Sequence, residues 1–209
     1  MKIKLPIKEI IVTNTQQVLV TEEGYRRIVA NLANQVVSKF EKHERIPMVF
    51  VATGAAMFWA DLGRELSRRG YHNLDCGYMD VTSYGESNIS QGVLSSTDPS
   101  VDVKNRRVLL VEDIVDTGLT LEYVIKRLYD LGAVDVVVVA LVKKRGTLNP
   151  SVDFGRATLL IGESIPDVFV VGLGMDGHSV MVGGNIGRMY PELVPITWLE
   201  QQLSVKLPE

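Results

Sequence analysis

The segment that most constrains this fold runs from Val108 to Thr120, Val-Leu-Leu-Val-Glu-Asp-Ile-Val-Asp-Thr-Gly-Leu-Thr. Val108 to Val111 are continuously apolar, the mark of a strand buried on both faces, as in a parallel sheet. Two adjacent carboxylates, Glu112 and Asp113, stand where that strand emerges. Asp116 then opens a Thr-Gly-Leu-Thr turn, and an amphipathic helix follows at once. A turn entering a helix offers free backbone N–H groups and the positive end of the helix dipole, and both attract phosphate. Thr117 and Thr120 add hydroxyls, and Gly118 carries no Cβ to hold a ligand away. A phosphate cradle beside paired acids suits a sugar phosphate accompanied by a divalent cation. Walker B strands also end in acids, but they need a Gly-x-x-x-x-Gly-Lys-Ser/Thr loop upstream, and this chain has none.

The flanking sequence repeats the strand–helix alternation. A helix within 21–42 carries Tyr25, Ile28, Val29, Leu32, Val36 and Val37 at helical spacing, with Thr21 placed as its N-cap. Pro47 to Ala52 reads as a short apolar strand, and 55–69 as a helix with Met57, Phe58, Leu62 and Leu66 inward, closed by Gly70. A strand follows over 74–82. The stretch from Ser83 to Asp102 is rich in Ser, Gly, Asn and Thr and reads as a long loop or flexible hairpin. After the strand at 107–113, the helix at 119–131 places Leu121, Val124, Ile125, Leu128 and Leu131 on one stripe, and Gly132 ends it. Val134 to Val142 is another interior strand. Weaker strands are predicted near 158–161 and 168–173, ahead of a Gly-rich tail. Such alternation predicts right-handed βαβ units in an α/β, doubly wound, mainly parallel sheet. Ligands of such sheets bind beyond the carboxyl ends of the strands, and the motifs of this chain fall at those ends.

Composition narrows the class. The chain has 209 residues, 46% hydrophobic and 22% charged, which fits one domain spanning 1–209. No apolar run approaches the roughly 20 residues that span a bilayer, so no membrane partner is expected. A formal net charge of −3 argues against a nucleic-acid surface. The single cysteine, Cys76, excludes an internal disulfide and fits the cytoplasm. Followed by Gly77 in a predicted strand, it is expected to be buried and inert.

The Val108–Thr120 segment resembles the phosphoribosyl-pyrophosphate motif of type I phosphoribosyltransferases. Its Glu-Asp followed by Asp-Thr-Gly is similar to the 6-oxopurine branch, the hypoxanthine-guanine phosphoribosyltransferases. The resemblance covers about residues 17–176, leaving a small hood of N-terminal residues and 177–209 around the core. It implies that Glu112, Asp113, Asp116, Thr117, Gly118, Leu119 and Thr120 bind phosphoribosyl pyrophosphate. Glu112 and Asp113 would act through Mg²⁺, and Asp116 would serve as base at the purine N7. Thr53-Gly54, after the first core strand, is similar to the family's pyrophosphate loop, where a peptide bond is often cis. Many members carry Lys-Gly or Arg-Gly there, so Thr53 lacks a cation. Ser83-Tyr84-Gly85 resembles the start of the mobile catalytic loop. Lys143 is matched to the lysine that donates to the purine 6-oxo group. In Asp167–Asp176, Phe169 matches the ring that stacks on the base and Val170 the backbone that reads its edge. Asp176 matches a ligand of a second metal ion.

Past Asp176 the resemblance fades. A family arginine expected a few residues later has no counterpart, and Arg188 is too distant to assign from sequence. Gly172-x-Gly174-x-x-Gly177 formally matches a dinucleotide fingerprint, which requires a helix next; 178–191 hold three glycines and a proline instead. The resemblance implies a purine base as acceptor, pyrophosphate as product, and a homodimer or homotetramer. Two alternatives stay open: transfer to xanthine or another oxo base, and a non-catalytic regulator that senses phosphoribosyl pyrophosphate.

Overall fold

The computed structural model describes residues 18–83, 94–179 and 184–204. Strands β1 (Ile46–Ala52), β2 (Leu74–Ser83), β3 (Leu94–Ser96), β4 (Arg107–Val115), β5 (Asp135–Lys144) and β6 (Thr158–Ile165) form one sheet in the order β3-β2-β1-β4-β5-β6. All neighbours pair parallel except β2 and β3, which are antiparallel. The predicted doubly wound, mainly parallel sheet is therefore present. The polar stretch after Ser83 contributes the short β3, which returns antiparallel along β2.

Three helices cover the sheet: α1 (Glu22–Val37), α2 (Ala56–Arg68) and α3 (Leu119–Asp130). Thr21 caps α1, its hydroxyl accepting the Gly24 N–H at 3.1 Å. Strand β4 shows why the apolar run was required. Leu109 and Val111 enter the core beneath α1 and α2, whereas Val108 and Leu110 enter the core shared with α3. All four are fully buried, each contributing roughly 1.5–3 kcal/mol of hydrophobic stabilisation.

A third apolar cluster joins the two ends of the described chain. It contains Val18, Val171 of β7 (Val170–Val171), Val194 of β10 (Val194–Pro195), and Leu199 of α4 (Ile196–Ser204). The Leu19 N–H donates to the Leu193 carbonyl at 2.8 Å. Between these pieces, β8 (Gly177–Ser179) and β9 (Gly184–Ile186) pair antiparallel. Gly177 thus begins a strand, not the helix that a dinucleotide fingerprint needs.

One expectation is corrected. Cys76 is exposed, not buried, because strand alternation turns its neighbours Gly77 and inward Met79 to the core and Cys76 outward with Tyr78. Among the described residues, no helix is long and apolar enough to cross a membrane.

Candidate active site

The carboxyl ends of β1, β4 and β5 meet the segment around β7, and the predicted site residues gather there. Glu112 and Asp113 are both buried. The Asp113 N–H donates to Glu112 Oε1 at 3.1 Å, and the Ile114 N–H donates to Asp113 Oδ1 at 2.7 Å. Glu112 Oε2 has no hydrogen-bond partner. Burial, then the neighbouring Asp113 carboxylate, pushes the Glu112 carboxyl well above the ordinary range. Burial also raises Asp113, opposed by hydrogen bonding to Glu112 and the Ile114 amide and by the charge of Arg188.

Gly54 is the point of closest approach. A Cβ on Gly54 would lie 1.8 Å from Asp113 Oδ2, and one on Gly174 would lie 2.2 Å from the Gly54 carbonyl oxygen. Only a glycine lets the β1 loop slide between the acids and the Gly172–Gly174 turn. The Ala52–Thr53 peptide bond is cis.

The turn after β4 has the form of an anion cradle. Gly118 adopts φ 83° and leads directly into α3, whose first turn has no side-chain cap. The amides at that helix start are thus left without an intramolecular cap. Thr117 is half-buried and Thr120 exposed. The Asp116 side chain remains 44% exposed, and its Oδ2 accepts from Lys144 Nζ at 2.8 Å.

The expectation gave the base contact to Lys143; the lysine that reaches Asp116 is Lys144. Strand β5 runs on to Lys144, and adjacent strand residues point to opposite faces. Lys144 is buried beside Asp116, and its Nζ also lies 3.5 Å from Asp167 Oδ1. Lys143 points to the other face and is half-buried.

Two residues beyond Asp167, Phe169 is 59% exposed. Its carbonyl accepts the Ile196 N–H at 3.0 Å, and Val170 pairs antiparallel with Pro195. The C-terminal segment thus fixes the strand that carries the ring. Asp176 Oδ2 pairs with Arg188 at 2.6 Å, and Arg188 also donates to the Gly174 carbonyl at 2.6 Å. The β8–β9 pairing returns Arg188 to this cleft across eleven intervening residues, a route that spacing alone could not reveal. Ser83 closes β2; Tyr84 and Gly85 lie outside the described residues.

Among the described residues, no cluster of three or more His, Cys, Asp or Glu forms a closed metal cage. The Glu112–Asp113 pair nevertheless fits a divalent cation of hard character. It offers carboxylate oxygens only, and one is buried without a partner. Oxygen-ligated ions of that kind complete their shell from water and substrate.

An uncapped helix start, paired acids and an exposed aromatic side chain at the carboxyl ends of the central strands suit a class of protein that handles sugar phosphates and planar bases. The chain belongs to the phosphoribosyl transferase family, since the model of the phosphoribosyl transferase domain matches residues 17–177. It is 33% identical over 165 residues to the hypoxanthine-guanine phosphoribosyltransferase of Bacillus subtilis, covering 77% of this chain and 85% of the relative. It is 32% identical to that of Aquifex aeolicus, covering 85% of this chain and 92% of the relative. Among solved structures, the hypoxanthine phosphoribosyltransferase of Staphylococcus aureus superposes with TM-score 0.72 at 28% identity, over 86% of this chain and 90% of that one. The Trypanosoma cruzi hypoxanthine phosphoribosyltransferase gives 0.73 at 28% identity, over 90% and 96%.

Proposed function

We propose that this phosphoribosyltransferase moves the 5-phosphoribosyl group of phosphoribosyl pyrophosphate onto hypoxanthine or guanine, releasing pyrophosphate. The observation that carries the reading is the Lys144–Asp116 contact at 2.8 Å, with Asp167 linking the same lysine to the strand of Phe169. A 6-oxopurine stacked on Phe169 would find a cation for its oxo group and a carboxylate for N7. A 6-amino base would turn its NH₂ donors toward the ammonium, donor against donor.

The remaining residues divide the other half of the substrate. The Asp116–Thr120 turn receives the 5′-phosphate on uncapped amides and the threonine hydroxyls. Glu112 and Asp113 hold the ribose hydroxyls and, with Asp176, are the residues that would bind Mg²⁺. Bound there, Mg²⁺ supplies charge neutralisation for the departing pyrophosphate. Gly54 brings backbone close to the same oxygens. Asp116 accepts or shares the N7 proton as the bond to ribose forms. Arg188 supplies a cation near the pyrophosphate side that Thr53 does not.

Incubating the purified protein with phosphoribosyl pyrophosphate, Mg²⁺ and hypoxanthine, guanine, xanthine or adenine tests the reading. Nucleotide is expected from hypoxanthine or guanine and not from adenine. Product from xanthine alone would move the assignment to that base; no product from any base, with phosphoribosyl pyrophosphate still bound, would support the sensor. A cytoplasmic location and a homodimer or homotetramer belong to the same proposal, the latter checked by sedimentation.

A further inference from the structure

The loop between β5 and β6 lies against the back of the phosphate turn, and its contacts go to that turn's carbonyls. Thr147 Oγ1 donates to the Asp116 carbonyl at 3.1 Å, and the Asn149 N–H donates to the Thr117 carbonyl at 3.0 Å. In a planar trans peptide the carbonyl and the next N–H point in opposite directions. Drawing the Asp116 and Thr117 carbonyls toward the loop therefore turns the Thr117 and Gly118 amides away from it. The apolar side of the loop closes the same face. A Cβ on Gly118 would lie 2.7 Å from Leu148 Cδ1, 3.1 Å from Phe154 Cζ and 3.2 Å from Val152 Cγ1. The loop is itself tied to α3, where Glu122 Oε1 accepts the Asp153 N–H at 2.8 Å.

We infer that Thr147, with the Asn149 amide and Leu148, is a positioning element that aims the backbone amides of the Asp116–Thr120 turn at the 5′-phosphate. The inference rests on the proposed reading of that turn. It also gives the segment after Lys144 a second task, since one stretch of chain reaches the base-facing cation and then braces the phosphate-facing amides. A brace of this kind acts on one substrate and not the other. A hydroxyl that merely stabilised the fold would affect both.

The test is steady-state kinetics of the full chain carrying Thr147→Val, Thr147→Ser or Leu148→Ala, with each substrate varied at saturating levels of the other. Thr147→Val is expected to raise KM for phosphoribosyl pyrophosphate about three- to tenfold, the loss of one neutral hydrogen bond. The base KM should stay unchanged and kcat should fall by less than KM rises. Thr147→Ser should restore the wild-type values. Leu148→Ala should shift the same KM without removing a hydrogen bond, which keeps the inference open to refutation if Thr147→Val does not fold. An unchanged KM for phosphoribosyl pyrophosphate, or equal rises for both substrates, would overturn the inference while leaving the proposed activity intact. An unmodified chain that neither makes nucleotide nor binds phosphoribosyl pyrophosphate would sink both.

Discussion

Replacing Lys144 with Met asks which of two adjacent lysines serves the base. Methionine keeps an apolar stem of similar length, so the substitution removes the charge with little packing loss. The stability cost should be small. The Asp116 and Asp167 side chains are 44% and 63% exposed, so both carboxylates regain water when the ammonium goes. Exposed pairs contribute about 0–1 kcal/mol, so a 209-residue chain should lose at most about 2–4 °C in Tm. The kinetic cost should be much larger. A charge-assisted hydrogen bond to the oxo group is worth about 1.5–3 kcal/mol, or roughly 10- to 150-fold in kcat/KM for hypoxanthine or guanine. Discrimination against adenine should weaken as well, because the opposing donor is gone. Lys143→Met, on the other face of β5, should leave kcat/KM unchanged. Steady-state assays of both variants with hypoxanthine, guanine and adenine, beside thermal melts, decide the matter. The reasoning fails if Lys143→Met carries the loss, or if Lys144→Met turns over normally.

Asp116→Asn should lower kcat about 10²–10⁴-fold, the usual range for a lost general base, with substrate affinities nearly retained; near-normal turnover would remove Asp116 from that role. Glu112→Gln should raise the stability of the ligand-free protein while cutting turnover at least about tenfold. The sign follows from burial: with its folded pKa above the unfolded value, Glu112 retains its proton longer in the native state, so the native state loses stability as pH climbs above about 4. The melting-temperature gain of the variant over wild type should therefore widen from pH 5 to pH 8 and shrink in excess Mg²⁺ with phosphoribosyl pyrophosphate. A gap that narrows with rising pH would contradict the assigned shift.

The sheet was legible wherever burial left one solution. Val108–Val111 and Val136–Val142 are apolar on both faces, which only an interior parallel strand tolerates, and they form the buried centres of β4 and β5. The turn at Asp116 was legible because a glycine with positive φ must precede α3. The pattern favours Lys143 over Lys144 because the apolar run stops at Val142, and hydrophobicity does not record how far pairing continues. Strand β5 extends to Lys144 through pairing with β6, and one residue of extension reverses the face presented. Arg188 escapes for a different reason. Its route home is a pair of short glycine-bearing strands with little apolar alternation, so nothing local announces the pairing of β8 with β9. Cys76 misleads because an inward Gly77 suggests an inward neighbour, whereas period two makes them opposites.

The Phe169 carbonyl bonded to Ile196 has a consequence for how such a protein can diversify. In the proposed reading the ribose-phosphate grip and the polar base contacts, Asp116 and Lys144, come from residues between 112 and 154, whereas the stacking ring is held by the final strand and helix of the described chain. The nucleotide product would thus span two territories, with only the stacking ring supplied from the C-terminal side. Drift in the terminal helix would then shift how the ring is stacked without touching the phosphate turn, so the stacking contribution and the phosphate grip could evolve on separate clocks.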